Sequence, residues 1–163
     1  MKKLINLLFD LMGTGIMDKE EIDIAIFLAL EEYVGQERAH IVPADTLRIE
    51  KDIMKNYGMY GYYQKIGSRC SITLDEEMTK YTDNLLISEK QFINCIDTMI
   101  HEHRHAYQYA YCLDVIYADS ANKYDSSYDY DKDATEIDAR QIAKKLIPDA
   151  CNYVYDYLIN LYK

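Results

Sequence analysis

Residues 88–112, SEKQFINCIDTMIHEHRHAYQYAYC, place Phe92, Ile93, Cys95, Ile96, Met99 and Ile100 at helical spacing and then turn polar. A stretch of that length and period forms a long helix with one buried face, so the rest of the chain has to cover that face. Ser88 and Gln91 stand at capping-box spacing and mark its predicted start. The polar end holds three of the chain's four histidines, at 101, 103 and 105. On a helix, positions i and i+4 share a face, so His101 and His105 point together. His103 projects about 200° round the axis from His101 and reads as a surface or outer residue.

The cover has to come from segments on either side. Asp18 to Val34 has an acidic first turn, apolar residues at Ile22, Ala25, Ile26, Ala29 and Leu30, and Gly35 as a stop, which predicts a helix. Residues 44–56 read as a further helix opened by Pro43 and Asp45, although TLRIE within it also suits a strand. From Tyr57 to Asp75, strand formers broken by Gly58, Gly61 and Gly67 predict an antiparallel hairpin. The tract 114–133 is rich in Asp, Ser and Tyr and reads as loop. Helical spacing returns over 133–147 and is predicted to stop before Pro148, which would open a last helix carrying Ala150, Val154, Tyr157, Leu158 and Leu161. The whole is α+β: one helix-rich domain over 1–163, with a small antiparallel sheet beside the histidine helix. Its first 15 residues form an N-terminal extension or helix.

Charge and cysteine usage narrow the function classes. A formal net charge of −10 argues against a nucleic-acid partner. Four cysteines without a CxxC pair suit reduced thiols and a cytoplasmic setting better than a disulfide scaffold. MKKLINLLFDLMGTG imitates a leader peptide, yet Asp10 interrupts its apolar run and no convincing small-residue cleavage site follows. No apolar stretch is long enough to span a bilayer, so no membrane partner is expected.

Glu102 stands beside the paired histidines, completing HExxH as His101-Glu102-His103-Arg104-His105. Two imidazoles on a rigid helix fix two corners of a zinc tetrahedron at about 2.0–2.1 Å, and zinc lowers the pKa of a bound water towards about 7. Glu102 is then placed to act as general base and acid. A catalytic zinc takes a third protein ligand. Cys112 lies two turns beyond His105, about 10.5 Å along the axis, too far to share a metal, and reads as core. Glu136, in TEIDAR, is the preferred ligand, with the alternative that it pairs with Asp133 to cap a helix. Asp138 is the third option.

HEHRHAYQ followed by EIDAR resembles the gluzincin zinc metallopeptidases, in which a glutamate on a later helix completes HExxH. Within them it is most similar to compact ImmA/IrrE-like and SprT-like domains, many of which carry E-x-[DE]-A on the glutamate helix. The resemblance covers residues 101–108 and 135–140. It implies a zincin-like fold, Zn2+ held by His101, His105 and Glu136, Glu102 as base, Asp138 and Ala139 in the accompanying positions, and a protein or peptide substrate. Two departures stand out: no histidine follows His105, and Arg140 occupies a position usually taken by Asn or Asp.

A rival reading lies in the acidic tract. Asp125, Ser127, Asp129, Asp131, Asp133 and Glu136 have calcium-loop spacing, but Tyr130 stands where the loop needs glycine. That reading makes the chain a non-catalytic zinc- or calcium-binding regulatory module. Tyr107, Tyr128 and Tyr130 are the tyrosines closest in sequence to the motifs and the candidates for steadying an oxyanion. Tyr109 and Tyr111 are expected to pack. The segment SITLD at 71–75 is expected to form the edge against which an extended substrate pairs. His40 reads as structural or surface.

Overall fold

Asp18 and Glu21 exchange hydrogen bonds at the head of a helix: the Asp18 amide donates to Glu21 Oε2 at 2.8 Å and the Glu21 amide to Asp18 Oδ1 at 2.9 Å. Two otherwise orphaned N–H groups are satisfied in this way, which anchors the start that the acidic turn predicts. The computed structural model describes residues 2–35, 45–76, 85–112, 129 and 132–162. In chain order the elements are α1 (Lys2–Gly13), α2 (Lys19–Gly35), β1 (Thr46–Glu50), α3 (Ile53–Tyr57), β2 (Gly61–Ile66), β3 (Arg69–Asp75), α4 (Leu85–Tyr111) and α5 (Ala134–Leu161). His40, Pro43 and most of the acidic tract lie outside the described residues.

The α+β reading holds, with corrections. Residues 44–56 are not one helix but strand β1 followed by the short helix α3. Tertiary pairing decides this: β1 runs parallel to β3 from Thr46 opposite Ser71 to Glu50 opposite Asp75. Asp45 starts the register, its amide donating to Cys70 O at 2.9 Å and its Oδ2 accepting from the Cys70 amide at 2.6 Å. At the other end Asp75 Oδ2 accepts from the Met54 amide at 2.6 Å, so the sheet itself caps α3.

The predicted hairpin is present, β2 pairing antiparallel with β3, but the sheet has three strands in the order β1-β3-β2. Residues 71–75 are therefore central, not an edge, and all five are buried. Strand β2 is the edge on the side of α4. Gly61 lets it come close: a Cβ there would meet the Thr98 methyl at 2.8 Å and Thr73 O at 2.9 Å.

Helix α4 begins at Leu85, ahead of the start that the sequence predicts at Ser88. Its apolar face, Phe92, Cys95, Ile96, Met99 and Ile100, joins one core with α1, α2, α5 and β3. Residues Leu4, Ile5, Leu8 and Leu11 of α1 belong to that core, so the leader-like run is a buried helix face. Cys112 is half-buried at the end of α4 and lies outside the core cluster.

Helix α5 passes unbroken through Pro148, where the sequence predicts a stop. An internal proline costs about 3 kcal/mol through its missing N–H and its ring clash. Leu146 before it and Val154 and Leu158 after it are buried in the same core, each contributing about 1.5–3 kcal/mol. Together they outweigh the proline. Tyr33 ties α2 to α5 by donating to Asp149 Oδ2 at 3.0 Å.

Candidate metal centre

The last turns of α4 carry His101 and His105 side by side. Their rings meet edge to face, 4.7 Å between centroids, with the two Nε2 atoms 3.0 Å apart. The third group arrives on the first turn of α5. There Asp133 is the N-cap, its Oδ1 accepting from the amide and hydroxyl of Thr135 at 2.8 and 2.6 Å. Asp133 thus caps α5 through Thr135, and Glu136 turns its carboxylate to the histidines. Its Oε2 is 3.1 Å from His101 Nε2 and its Oε1 3.4 Å from His105 Nε2.

These separations suit a common ion. Donors placed about 2.0–2.2 Å from one tetrahedral centre lie about 3.3–3.6 Å from each other, at or a little beyond the 3.0, 3.1 and 3.4 Å found. Among the described residues, His101, His105 and Glu136 form one group of three side chains that could hold a metal ion.

Glu102 lies in the same cleft, buried, and accepts a hydrogen bond from the Tyr63 amide of β2. Burial pushes its carboxyl above the usual range; the charge of Glu136 adds to this, while His105, His101 and the Tyr63 amide oppose it. For His105, burial works downward, but the Glu136 hydrogen bond and the charges of Glu102 and Glu136 outweigh it and raise the imidazole pKa. Asp97, one turn before His101, is raised by burial and partly restrained by His101.

No family model, no curated protein and no solved structure matches the chain.

His103 faces away from the cluster, as helical rotation requires, but it is not a surface residue. It is 1% exposed, donates from Nδ1 to Met99 O at 2.6 Å, and is pushed down to about 4 by burial against the pull of that bond. Its Nε2 is buried without a hydrogen-bond partner among the described residues. A period of 3.6 residues fixes where a side chain points, not what packs over it.

Asp138 does not join the cluster. It accepts from Arg104 Nε at 2.6 Å and from Gln108 Nε2 at 2.7 Å. Burial pushes its carboxyl up, yet these two bonds outweigh burial and hold it below the usual range. Gln108 is a residue that sequence reasoning missed. Its Oε1 stands 2.8 Å from His105 Nδ1, and its Nε2 also donates to Thr135 O at 2.9 Å. The available signal was its place three residues after His105, on the same helical face.

The cleft over the cluster has a volume of about 560 Å³. Its tyrosines are not the ones the sequence suggests. Tyr107 carries the Arg104 guanidinium 4.6 Å above its ring and packs against Tyr111, and it does not line the cleft. Tyr128 and Tyr130 lie outside the described residues. Tyr109, expected only to pack, lines the cleft with its ring 5.5 Å from that of Tyr63. Arg140 lines it too, its Nε donating to Glu136 O at 3.2 Å.

Of the calcium-loop positions, Asp129 pairs with Lys132 at 2.7 Å, Asp133 caps α5 and Glu136 faces the histidines. These three carboxylates do not converge on one another. Positions 125, 127 and 131 are outside the described residues.

Proposed function

We propose that this chain is a zinc-dependent metallopeptidase of the minimal gluzincin kind, acting on protein or peptide substrates. The observation that carries the reading is the convergence of His101, His105 and Glu136 within 4.8 Å, in one cleft with Glu102. His101 Nε2, His105 Nε2 and a Glu136 carboxylate oxygen would hold the ion. Bound zinc would activate a water and polarise the scissile carbonyl.

Glu102 does the proton work. Its carboxylate takes a proton from the attacking water and hands it to the leaving amine. A carboxyl raised by burial holds that proton between the two transfers better than a solvated one. The Tyr63 amide orients the carboxylate from the strand side. Strand β2 is the edge available to an extended peptide, and tyrosines 60, 62, 63 and 109 line the cleft around it. All four cysteines are free, which supports a reducing, cytoplasmic setting, and no helix among the described residues is long and apolar enough to cross a membrane.

The test combines metal analysis of the purified protein with proteolysis by wild type and Glu102→Gln. The reading predicts near-stoichiometric zinc in both proteins and cleavage by Glu102→Gln reduced about 10²–10⁴-fold. Absence of zinc sinks it. Zinc retained with undiminished cleavage removes Glu102 as the base and leaves the ion a structural role.

A further inference from the structure

Gln108 is 3% exposed, and two of its three partners can only accept. Thr135 O is a backbone carbonyl 2.9 Å from Nε2. Asp138 Oδ2, 2.7 Å from Nε2, belongs to a carboxylate already paired with Arg104. Both amide hydrogens are therefore directed at α5, and Oε1 is left facing His105 Nδ1 at 2.8 Å. A carboxamide oxygen cannot donate, so the proton in that bond belongs to His105 Nδ1.

We propose that Gln108 is a positioning residue that locks His105 with its proton on Nδ1 and its Nε2 lone pair turned towards His101 and Glu136. Its value for zinc rests on the metallopeptidase reading above; the tautomer itself does not. The lock is set by the docking of α5. Thr135 and Asp138 flank Glu136, so the helix that delivers the third ligand also orients the amide that prepares the second. Without those acceptors the amide is free to turn over and present NH2 to Nδ1. Nδ1 would then have to accept, and the ring proton would move to Nε2, in the middle of the ligand cluster. Ligand helix and ligand histidine are thus made ready in one event.

The experiment is nitrogen-resolved NMR of the imidazole rings in metal-free protein, held at a pH where His105 is neutral, followed by zinc titration. Wild type, Gln108→Leu and Gln108→Glu are compared. Wild-type His105 is expected to carry its proton on Nδ1. Gln108→Leu loses that preference and binds zinc about 10–100-fold more weakly. Gln108→Glu keeps an acceptor opposite Nδ1, so it keeps the tautomer and most of the affinity. It melts lower, because its other oxygen confronts Thr135 O and Asp138. A residue with a merely structural role would give two variants alike in tautomer.

A wild-type His105 with its proton on Nε2 overturns the proposal, as does a folded Gln108→Leu with unchanged tautomer and affinity. If Gln108→Leu does not fold, the wild-type and Gln108→Glu spectra decide. A wild type that binds no zinc overturns the metallopeptidase reading alone, and the His105 spectrum still decides this one.

Discussion

Glu136 Oε2 lies 3.1 Å from His101 Nε2, although 35 positions of chain separate the two residues. Nothing local requires that contact, since Asp133 already caps α5. Replacing Glu136 by alanine is expected to weaken zinc retention by more than the roughly 10–100-fold associated with outer-layer losses. Equilibrium dialysis against a zinc chelator of known affinity measures it. Unchanged retention would mean that Glu136 is no ligand.

His103 predicts a pH effect. In the unfolded chain a histidine titrates near about 6.5, whereas the buried imidazole is pushed down to about 4. Below about 6.5 the unfolded state takes up a proton that the folded state refuses, so the folded state loses stability until the pH reaches about 4. The loss reaches about 3 kcal/mol at about 1.4 kcal/mol per pH unit. Denaturant melts of metal-free wild type and His103→Leu should differ by a constant offset above about pH 6.5, wild type losing stability relative to the variant as the pH falls through that window, with zinc affinity alike in both. Parallel curves would show that His103 is not buried neutral.

Asp138 has a lower window. Its carboxyl is held below the usual range, so its contribution is complete above about pH 4 and fades as the pH falls through the folded value. Asp138→Asn should cost about 1–2 kcal/mol at neutral pH, discounted from the buried-pair figure because the Asp138 side chain is 39% exposed. The deficit should shrink in acid. A deficit that is the same at pH 3 and pH 7 would argue against an ion pair with Arg104.

Gly61 tests how the sheet meets α4. In Gly61→Ala the new methyl meets Thr73 O, a backbone atom, as well as the Thr98 methyl, so a side-chain rotation cannot relieve it. A destabilisation of about 1–3 kcal/mol is expected. The three side chains that could hold a metal sit on α4 and α5, so on the proposed reading zinc binding should survive while peptide cleavage falls. Thermal melts and metal content read the two effects separately, and a variant as stable as wild type would contradict the close approach.

His101, Glu102 and His105 were legible because their relation is local. The helical period alone puts the histidines on one face with the glutamate beside them. The hairpin, the capped start of α2 and the apolar face of α4 were legible for the same reason, as each follows from spacing and turn chemistry within one segment. Glu136 could also be read as the preferred third group, with the helix cap left as its alternative, because one carboxylate at the start of a helix suits both roles.

Tertiary structure decided the rest. TLRIE became a strand because β3 offered it a parallel partner. Helix α5 ran through Pro148 because buried side chains lie on both sides of it. His103 went inside, Tyr107 took a place under Arg104, and Gln108 acquired acceptors on another helix. Periodicity and capping act over a few residues and are written in the chain. Burial, strand partners and hydrogen-bond acceptors are supplied by segments far away in sequence, and exist only once the chain has folded.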